Sequence, residues 1–365
     1  MHFRFRPHAV FMAASLAVVA CGPGAVSPSP TQAPSSSGSP DVGTSPSVAP
    51  SASAALSGTL TIYSGRSEEL VGPLIERFKT ETGLDVQVNY AGTTDLAATI
   101  LEEGDASPAD VFFAQDAGAL GAVAAEGRLA DLPATSLDLV DERFRADDGN
   151  WIGVSGRARV VIYDTRVLSE AELPTSIDAF TDPAWKGRIG WAPTNASLQT
   201  FVTAYRLMKG EDAAKTFVEG IVANEPKVYD GNDAVLAAVA AGEIEAGFVN
   251  HYYLMRQLKE QGESFPVRNH FLDGGDPGAL VNVAGAGILT TSKNPTAAQA
   301  FIDFLLSDAS QTYFATETSE YPLIEGVSAD AGLPTLAELQ SPDIDLSDLA
   351  DLEGTLKLMQ EAGAL

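Results

Sequence analysis

Two successive trains of alternating strand-like and helix-like segments constrain this chain more than any other feature. The first runs through "TLTIYSG" (59–65), a stretch with Leu70, Leu74, Ile75 and Phe78 at helical spacing that stops at Gly83, then "LDVQVNY" and "ADVFFA" (109–114). Apolar positions three and four apart mark one face of a helix, and a following glycine supplies the left-handed backbone that ends it. Strand, helix, strand, helix, strand predicts a parallel sheet with right-handed crossovers. The alternation restarts at "ARVVIYD" (158–164) and continues through "RIGWAP", helix-like runs near 197–208 and 233–241, and "EAGFVN" (245–250). A Gly-rich strand signal, "PGALVNVAGAGILTTS" (277–292), and the helical "PTAAQAFIDFLLS" follow. Leu349, Leu352, Leu356 and Met359 predict an apolar stripe on a closing helix. The class is α/β, and 365 residues with a restarted pattern fit two domains or one two-lobed domain.

The region ahead of the first strand is of another kind. Arg4 and Arg6 precede "AVFMAASLAVVA", which is too short for a spanning helix and fits the apolar core of an export signal. The run ends in "VVAC" at Cys21, which resembles the lipobox where a bacterial lipoprotein is cleaved and its cysteine acylated. Residues 1–20 are therefore expected to be removed and Cys21 to carry lipid that anchors the protein to the membrane. Cys21 is also the only cysteine, which excludes an intrachain disulfide and any Cys-based zinc or iron–sulfur site. Residues 21–56 form a linker: 22–56 hold 10 Ser and 7 Pro with no aromatic, too little apolar surface to fold. As a flexible coil it reaches roughly 30–35 Å, enough to hold a folded body clear of a bilayer.

With 22 Lys plus Arg against 49 Asp plus Glu, the formal charge of −27 argues against nucleic acid, whose phosphates need a basic face. Of four histidines only His251 and His270 lie in the body, so a multi-histidine metal site is not expected. The chain has no HExxH, GxSxG or Walker A sequence and no candidate Cys/His dyad, which weighs against an enzyme.

"LTIYSGR", "IERFKTETGLDVQV", "SPADVFFAQD", "SGRARVVIYDTRVLSE", "PAWKGRIGWAPT", "GEIEAGFVNHYYL", "DPGALVNVAGAGIL" and "SEYPL" occur in an order and spacing similar to those of bacterial ferric-iron-binding proteins, over about residues 58–365. These are the substrate-binding components of iron(III) ABC importers, with the transferrin-like fold of periplasmic binding proteins. The resemblance implies a type II-like, two-lobed protein, each lobe a mixed sheet flanked by helices. "WIGVSGRA" and "DPGALVNV" would be the two crossover strands. Lobe 1 would be 58–155 plus 280–318, and lobe 2 would be 156–279 plus 319–365.

Iron(III) is a small, hard ion that prefers anionic oxygen, and a bound trivalent cation favours the deprotonated phenol strongly. The adjacent Tyr252 and Tyr253 match the family's paired tyrosine ligands. Neighbours in a strand would point to opposite faces, so convergence requires a loop or a first helical turn, and Asn250 suits the N-cap of a helix through "HYYLMRQLKE". Elsewhere the chain departs from the family. A histidine ligand of some relatives falls at Ser67, a glutamate at Gln115, and the third tyrosine of all-tyrosine relatives at Leu198. Glu68 and Gln115 are the substitute metal ligands to weigh, with Asp116 beside them. Glu68 and Glu69 equally suit the N-terminal dipole of the first helix, and Tyr63 and Tyr163 suit the core of their strands.

Relatives often bind iron with a synergistic anion such as phosphate or carbonate. The matching positions are Arg157, the turn of Asn195, Ala196 and Ser197, Asn232, and Ser67. A turn that opens a helix presents free N–H groups, and a guanidinium adds a bidentate fork. The implied protein is an extracytoplasmic, monomeric lipoprotein that delivers iron to an ABC permease. The competing readings are a binding protein of the same fold for an organic anion, phosphonate, polyamine or thiamine and, more distantly, a metal-dependent hydrolase.

Overall fold

The structure, a computed structural model, describes residues 56–365. The export signal, Cys21 and the linker up to residue 55 lie outside the described residues.

Ten strands are present in that range: β1 (Thr59–Ser64), β2 (Asp85–Tyr90), β3 (Val111–Ala114), β4 (Leu129–Ala130), β5 (Ile152–Asp164), β6 (Ile189–Trp191), β7 (Lys227–Val228), β8 (Ala246–Asn250), β9 (Val267–His270) and β10 (Val281–Leu289). They follow the order β2-β1-β3-β10-β5-β8-β6-β7, with β4 beside β10 and β9 beside β5. β1 is parallel to β2 and β3, and β6 to β7 and β8. The expected parallel crossovers are therefore present, but the sheet is mixed, because β5 runs antiparallel to β10, β8 and β9. The first half of β5 pairs with β10 from Ile152 to Ala158, and the second half pairs with β8 from Arg159 to Tyr163. One unbroken strand thus belongs to both halves of the molecule.

The helices are α1 (Glu68–Thr82), α2 (Thr93–Glu103), α3 (Ala117–Ala125), α4 (Ala134–Leu137), α5 (Ala196–Lys209), α6 (Glu211–Ala223), α7 (Asn232–Ala241), α8 (Tyr252–Gln261), α9 (Pro295–Leu305), α10 (Asp308–Thr316), α11 (Leu336–Leu339) and α12 (Leu352–Glu361). α1 buries Val71, Leu74, Ile75 and Phe78 and ends at Gly83, whose φ of 70° an L side chain would resist. Phe78 meets Phe301 edge-on at 5.1 Å and Phe304 at 5.2 Å. Burying each such ring is worth about 1.5–3 kcal/mol, so this contact fixes α1 against α9. Among the described residues no helix is long and apolar enough to cross a membrane.

Three apolar clusters form around the sheet. The first gathers β1, β3, β10, α1, α2, α3 and α9 with the first half of β5. The other two cover opposite faces of the second half, and strand periodicity divides them. Val161 and Tyr163 of β5 face Trp191, Phe201 and Phe248, whereas Val160 and Ile162 face Val235, Leu236 and Val249. The segment after α10 crosses between cores: Tyr321, Leu323, Leu339, Leu346 and Leu349 join the first cluster, and Leu358, Met359 and Ala362 join the second.

The closing helix corrects one expectation. α12 turns Thr355, Leu358 and Met359 inward and leaves Leu352 and Leu356 half-buried. A polar contact sets this phase: the Thr355 hydroxyl meets that of Thr203 at 2.7 Å and accepts from Arg206 Nη1 at 2.8 Å. An apolar-only periodicity overlooks a buried threonine.

Candidate functional site

β8 ends at Asn250 and α8 begins two residues later, so the tyrosine pair occupies a first helical turn, as convergence requires. The capping role expected of Asn250 is not seen. His251 already has helical backbone and occupies the cap position without a side-chain cap, while Asn250 closes the strand and its Oδ1 accepts from Arg159 Nη1 at 3.3 Å. The helix is held instead by the wholly buried His251. Its Nδ1 accepts from the Ala158 N–H at 3.1 Å, which places the ring proton on Nε2, and Nε2 donates to the Ser319 carbonyl at 2.8 Å. Burial pushes its pKa down to about 4, so the ring is neutral near neutral pH. Ser319 has a left-handed φ of 56°, and its hydroxyl accepts from Lys259 of α8 at 2.7 Å. The start of α8 is thereby tied both to β5 and to the segment after α10.

The rings of Tyr252 and Tyr253 stack with centroids 4.3 Å apart at 26°. Tyr252 is buried and Tyr253 half-buried. Burial drives the Tyr252 pKa well above the usual phenol value and neighbouring Tyr253 adds to the rise, while Arg157 and Arg66 act against it. The metal-free protein therefore holds a neutral phenol at Tyr252, close to cationic groups.

Those cations come from two directions. On β5, Ser155, Arg157 and Arg159 alternate and so share one face. Arg159 Nη1 donates to Ser197 Oγ at 3.4 Å, and Arg157 Nη2 donates to the Val283 carbonyl at 3.3 Å. From the end of β1, Arg66 donates through Nη2 to Glu320 Oε1, and Glu320 Oε2 accepts from Ser155 Oγ at 2.7 Å. Arg66 and Arg157 are each 1% exposed. Arg66 and Arg157 pull the Glu320 carboxyl below its usual range against the cost of burial, so it is ionised. Arg157's pKa falls through burial and repulsion from Arg66. Burial likewise lowers that of Arg159, to about 10.

The turn before α5 spends most of its own donors, the Asn195 N–H going to the Ala192 carbonyl at 3.0 Å. Asn195 caps the helix, its Oδ1 accepting from the Ser197 N–H at 3.0 Å and the Ser197 hydroxyl at 2.6 Å. Ser197 Oγ also accepts from Asn232 Nδ2 at 3.2 Å. Asn195, Ala196, Ser197 and Asn232 thus lie together at the start of α5 and of α7, joined by Arg159 to the strand that carries Arg157. The Ser197 hydroxyl is the hub of this network and already has three partners.

The residues expected on the other side stand differently. Ser67 and Glu68 are exposed at the start of α1, where an acidic side chain complements the helix dipole; the adjacent Glu69 accepts from Arg256 of α8 at 2.8 Å. Gln115 is half-buried at the end of β3, its N–H donating to Thr93 Oγ1 at 3.1 Å. Asp116 is committed to capping α3 through the Ala119 N–H, and burial raises its pKa. Tyr63 and Tyr163 pack in the core, as their strands implied. Among the described residues no group of three or more His, Cys, Asp or Glu is disposed to hold a metal.

Arg66, Ser155, Arg159 and Glu320 did not emerge from the sequence as site residues. Alternation along "SGRAR" was signal enough for Arg159. Nothing local links Arg66 to Glu320, which stand 254 residues apart.

Comparison with known proteins bears on this geometry. The family model described as bacterial extracellular solute-binding protein matches residues 73–340. The major ferric iron-binding protein of Neisseria meningitidis serogroup B is 36% identical over 309 residues, covering 83% of this chain and 92% of that protein. The crystal structure of iron-bound HitA from Pseudomonas aeruginosa superposes with a TM-score of 0.79 at 35% identity, covering 84% of this chain and 99% of the other. A Trichodesmium protein in complex with iron and citrate ligands superposes with a TM-score of 0.71 at 28% identity, covering 84% and 100%.

Proposed function

From the premise that the chain belongs to the bacterial extracellular solute-binding proteins, among their ferric-iron-binding members, we propose that it captures iron(III) outside the cytoplasm and delivers it to an ABC permease. It is a binding protein and not an enzyme, as its relatives are transport proteins. The observation that carries the reading is the stacked pair of buried Tyr252 and half-buried Tyr253 at the head of α8, set among cations. Phenolate is a hard anionic oxygen donor, and two of them beside a hydrogen-bonding turn suit a hard trivalent ion with an accompanying anion.

The charges explain why an anion is needed. Iron(III) with two phenolates keeps one positive charge, and Arg66, Arg157 and Arg159 face it with Glu320 and, beside Arg157, Asp116 in compensation. Like charges at roughly 8 Å repel by about 2 kcal/mol in a protein-like medium, so several such pairs disfavour the ion. Carbonate or phosphate held by Arg157, the Ala196 N–H at the start of α5, and Asn232 removes that penalty and fills coordination positions the side chains leave open. Glu68 and Ser67 at the start of α1 and Gln115 after β3 are the weaker contributors of this reading. The proposed division is lobe 1 at 58–155 plus 280–318 and lobe 2 at 156–279 plus 319–365, with part of the last segment packing back on the first core.

Loading the metal-free protein with a ferric salt in bicarbonate is the direct test. One iron per chain by elemental analysis and a visible phenolate-to-iron charge-transfer band are expected; a colourless protein without bound iron would move the reading to an organic ligand. The anchor is tested separately. Mass spectrometry of the membrane-extracted protein should show a chain that begins at acylated Cys21, and an unmodified Cys21 or retained residues 1–20 would remove the lipoprotein assignment.

A further inference from the structure

We infer that the cavity between residues 138–145 and residues 321–337 is a second binding site, for a linear aliphatic polyamine: ammonium groups meet Glu142 and Glu325 at the rim, methylenes lie along the apolar wall, and the Tyr321 hydroxyl at the floor receives an N–H. The cavity shares no residue with the tyrosine pair or the cations around it, so this site stands apart from the iron reading.

The cavity measures about 1010 Å³, room for a small organic molecule. Its two walls meet where Val140 pairs with Ile324. Tyr321 is fixed to β5 from both sides: the Gly156 N–H donates to the Tyr321 carbonyl at 2.8 Å, and the Tyr321 N–H donates to the Gly156 carbonyl at 2.9 Å. Its ring stands 4.8 Å from that of His251, and the residue is 1% exposed. Yet the Tyr321 hydroxyl finds no hydrogen-bond partner. A buried hydroxyl without a partner is costly, which makes it a group for a ligand to satisfy. Burial and then the Glu338 carboxylate raise its pKa, so the phenol is neutral and turned toward α11, whose Thr335, Leu336 and Ala337 line the same cavity.

Charge selects the class of ligand. The lining carries Asp138, Asp141, Glu142, Glu325 and Asp330 against Arg145 alone. Three of these carboxylates already face a cation: Asp138 lies 3.9 Å from Arg145, Asp141 accepts from Arg143 at 2.9 Å, and Asp330 lies 2.8 Å from Lys259. Glu142 and Glu325, one on each wall, form no ion pair among the described residues. Such a rim draws in cations and repels carboxylates and phosphates. Between rim and floor the wall is apolar, with Val140 and Leu323 buried in the first core and Leu139 48% exposed. An inorganic cation gains nothing from that wall, whereas methylenes between ammonium groups match wall and rim together.

The test titrates spermidine into the metal-free full-length protein by calorimetry, with magnesium ion as the control for charge without a hydrocarbon body and hexanediol as the control for body without charge. Spermidine should bind about tenfold or more tightly than either control, and less tightly as salt is raised. Glu142→Gln combined with Glu325→Gln should weaken spermidine roughly 5- to 30-fold, the worth of two exposed ion pairs, and leave hexanediol unchanged. Tyr321→Phe should weaken it roughly 3- to 10-fold, the worth of one hydrogen bond. It should do so without lowering Tm, because the hydroxyl removed has no partner in the protein to lose. No binding at millimolar spermidine, equal affinity for magnesium or hexanediol, or wild-type spermidine affinity in either variant would each overturn the proposal. Because these titrations contain no iron, failure of the wild type to take up iron would defeat the functional reading without touching them.

Discussion

Tyr252→Phe and Tyr253→Phe are each expected to weaken iron(III) binding by far more than the roughly 10- to 100-fold that losing an outer hydrogen-bond partner costs a metal site, and the double substitution should abolish the visible band. The substitution removes an oxygen and keeps the ring, so the 4.3 Å stack and the burial of Tyr252 persist. Stability should change by no more than about 1.5 kcal/mol, the net worth of one hydrogen bond. Affinity and stability are thereby separated: a folded, colourless variant identifies a ligand, and a destabilised one identifies packing. Retention of wild-type colour and affinity by both single variants would refute the pair as the metal site.

Iron uptake should also expel two protons per ion from the phenols, beyond any that the accompanying anion gives up. A phenol's ordinary pKa lies near 10, and burial lifts that of Tyr252 further, so at neutral pH the incoming ion must displace hydrogen from oxygen. The sign is fixed: protons compete with iron, so affinity falls as pH falls, by about 100-fold per unit when two phenols are released. Each single Tyr→Phe variant should release one proton, with about tenfold per unit. Proton release is measured in a pH-stat with a ferric donor of known protonation. An unchanged count in Tyr252→Phe would remove that residue from the ligand set.

Local pattern carried the reading as far as local forces act. Helical spacing up to Gly83, and the strand-rich run "ARVVIYD", report burial that each segment experiences by itself, and both stand in the structure. The resemblance singled out the tyrosine pair, and geometry added only that adjacent side chains converge in a loop or helical turn and not in a strand. The start of α8 misled because a capping asparagine is a common solution to a general problem; here a histidine bound to two distant backbone groups replaces it. Arg66 and Glu320 were illegible because their meaning is pairwise and nonlocal. Each alone reads as a surface charge, and only the fold removes both from water. Thr355 belongs to the same category, a polar residue buried because Thr203 waits opposite.

The C-terminal segment that crosses between the cores has a mechanical meaning. Leu349 is seated in the first core, and six residues on, Thr355 is bonded to α5 in the second. Asp351 adds a tie, its Oδ2 accepting from Arg206 of α5 at 2.8 Å. A chain lengthens by at most about 3.6 Å per residue, and most of this link is already wound into α12. Parting the first core from α5 along this edge would therefore have to peel leucine from one or threonine from the other. So short a strap works as a tether of fixed length, which limits how far the first core and α5 can part at this edge.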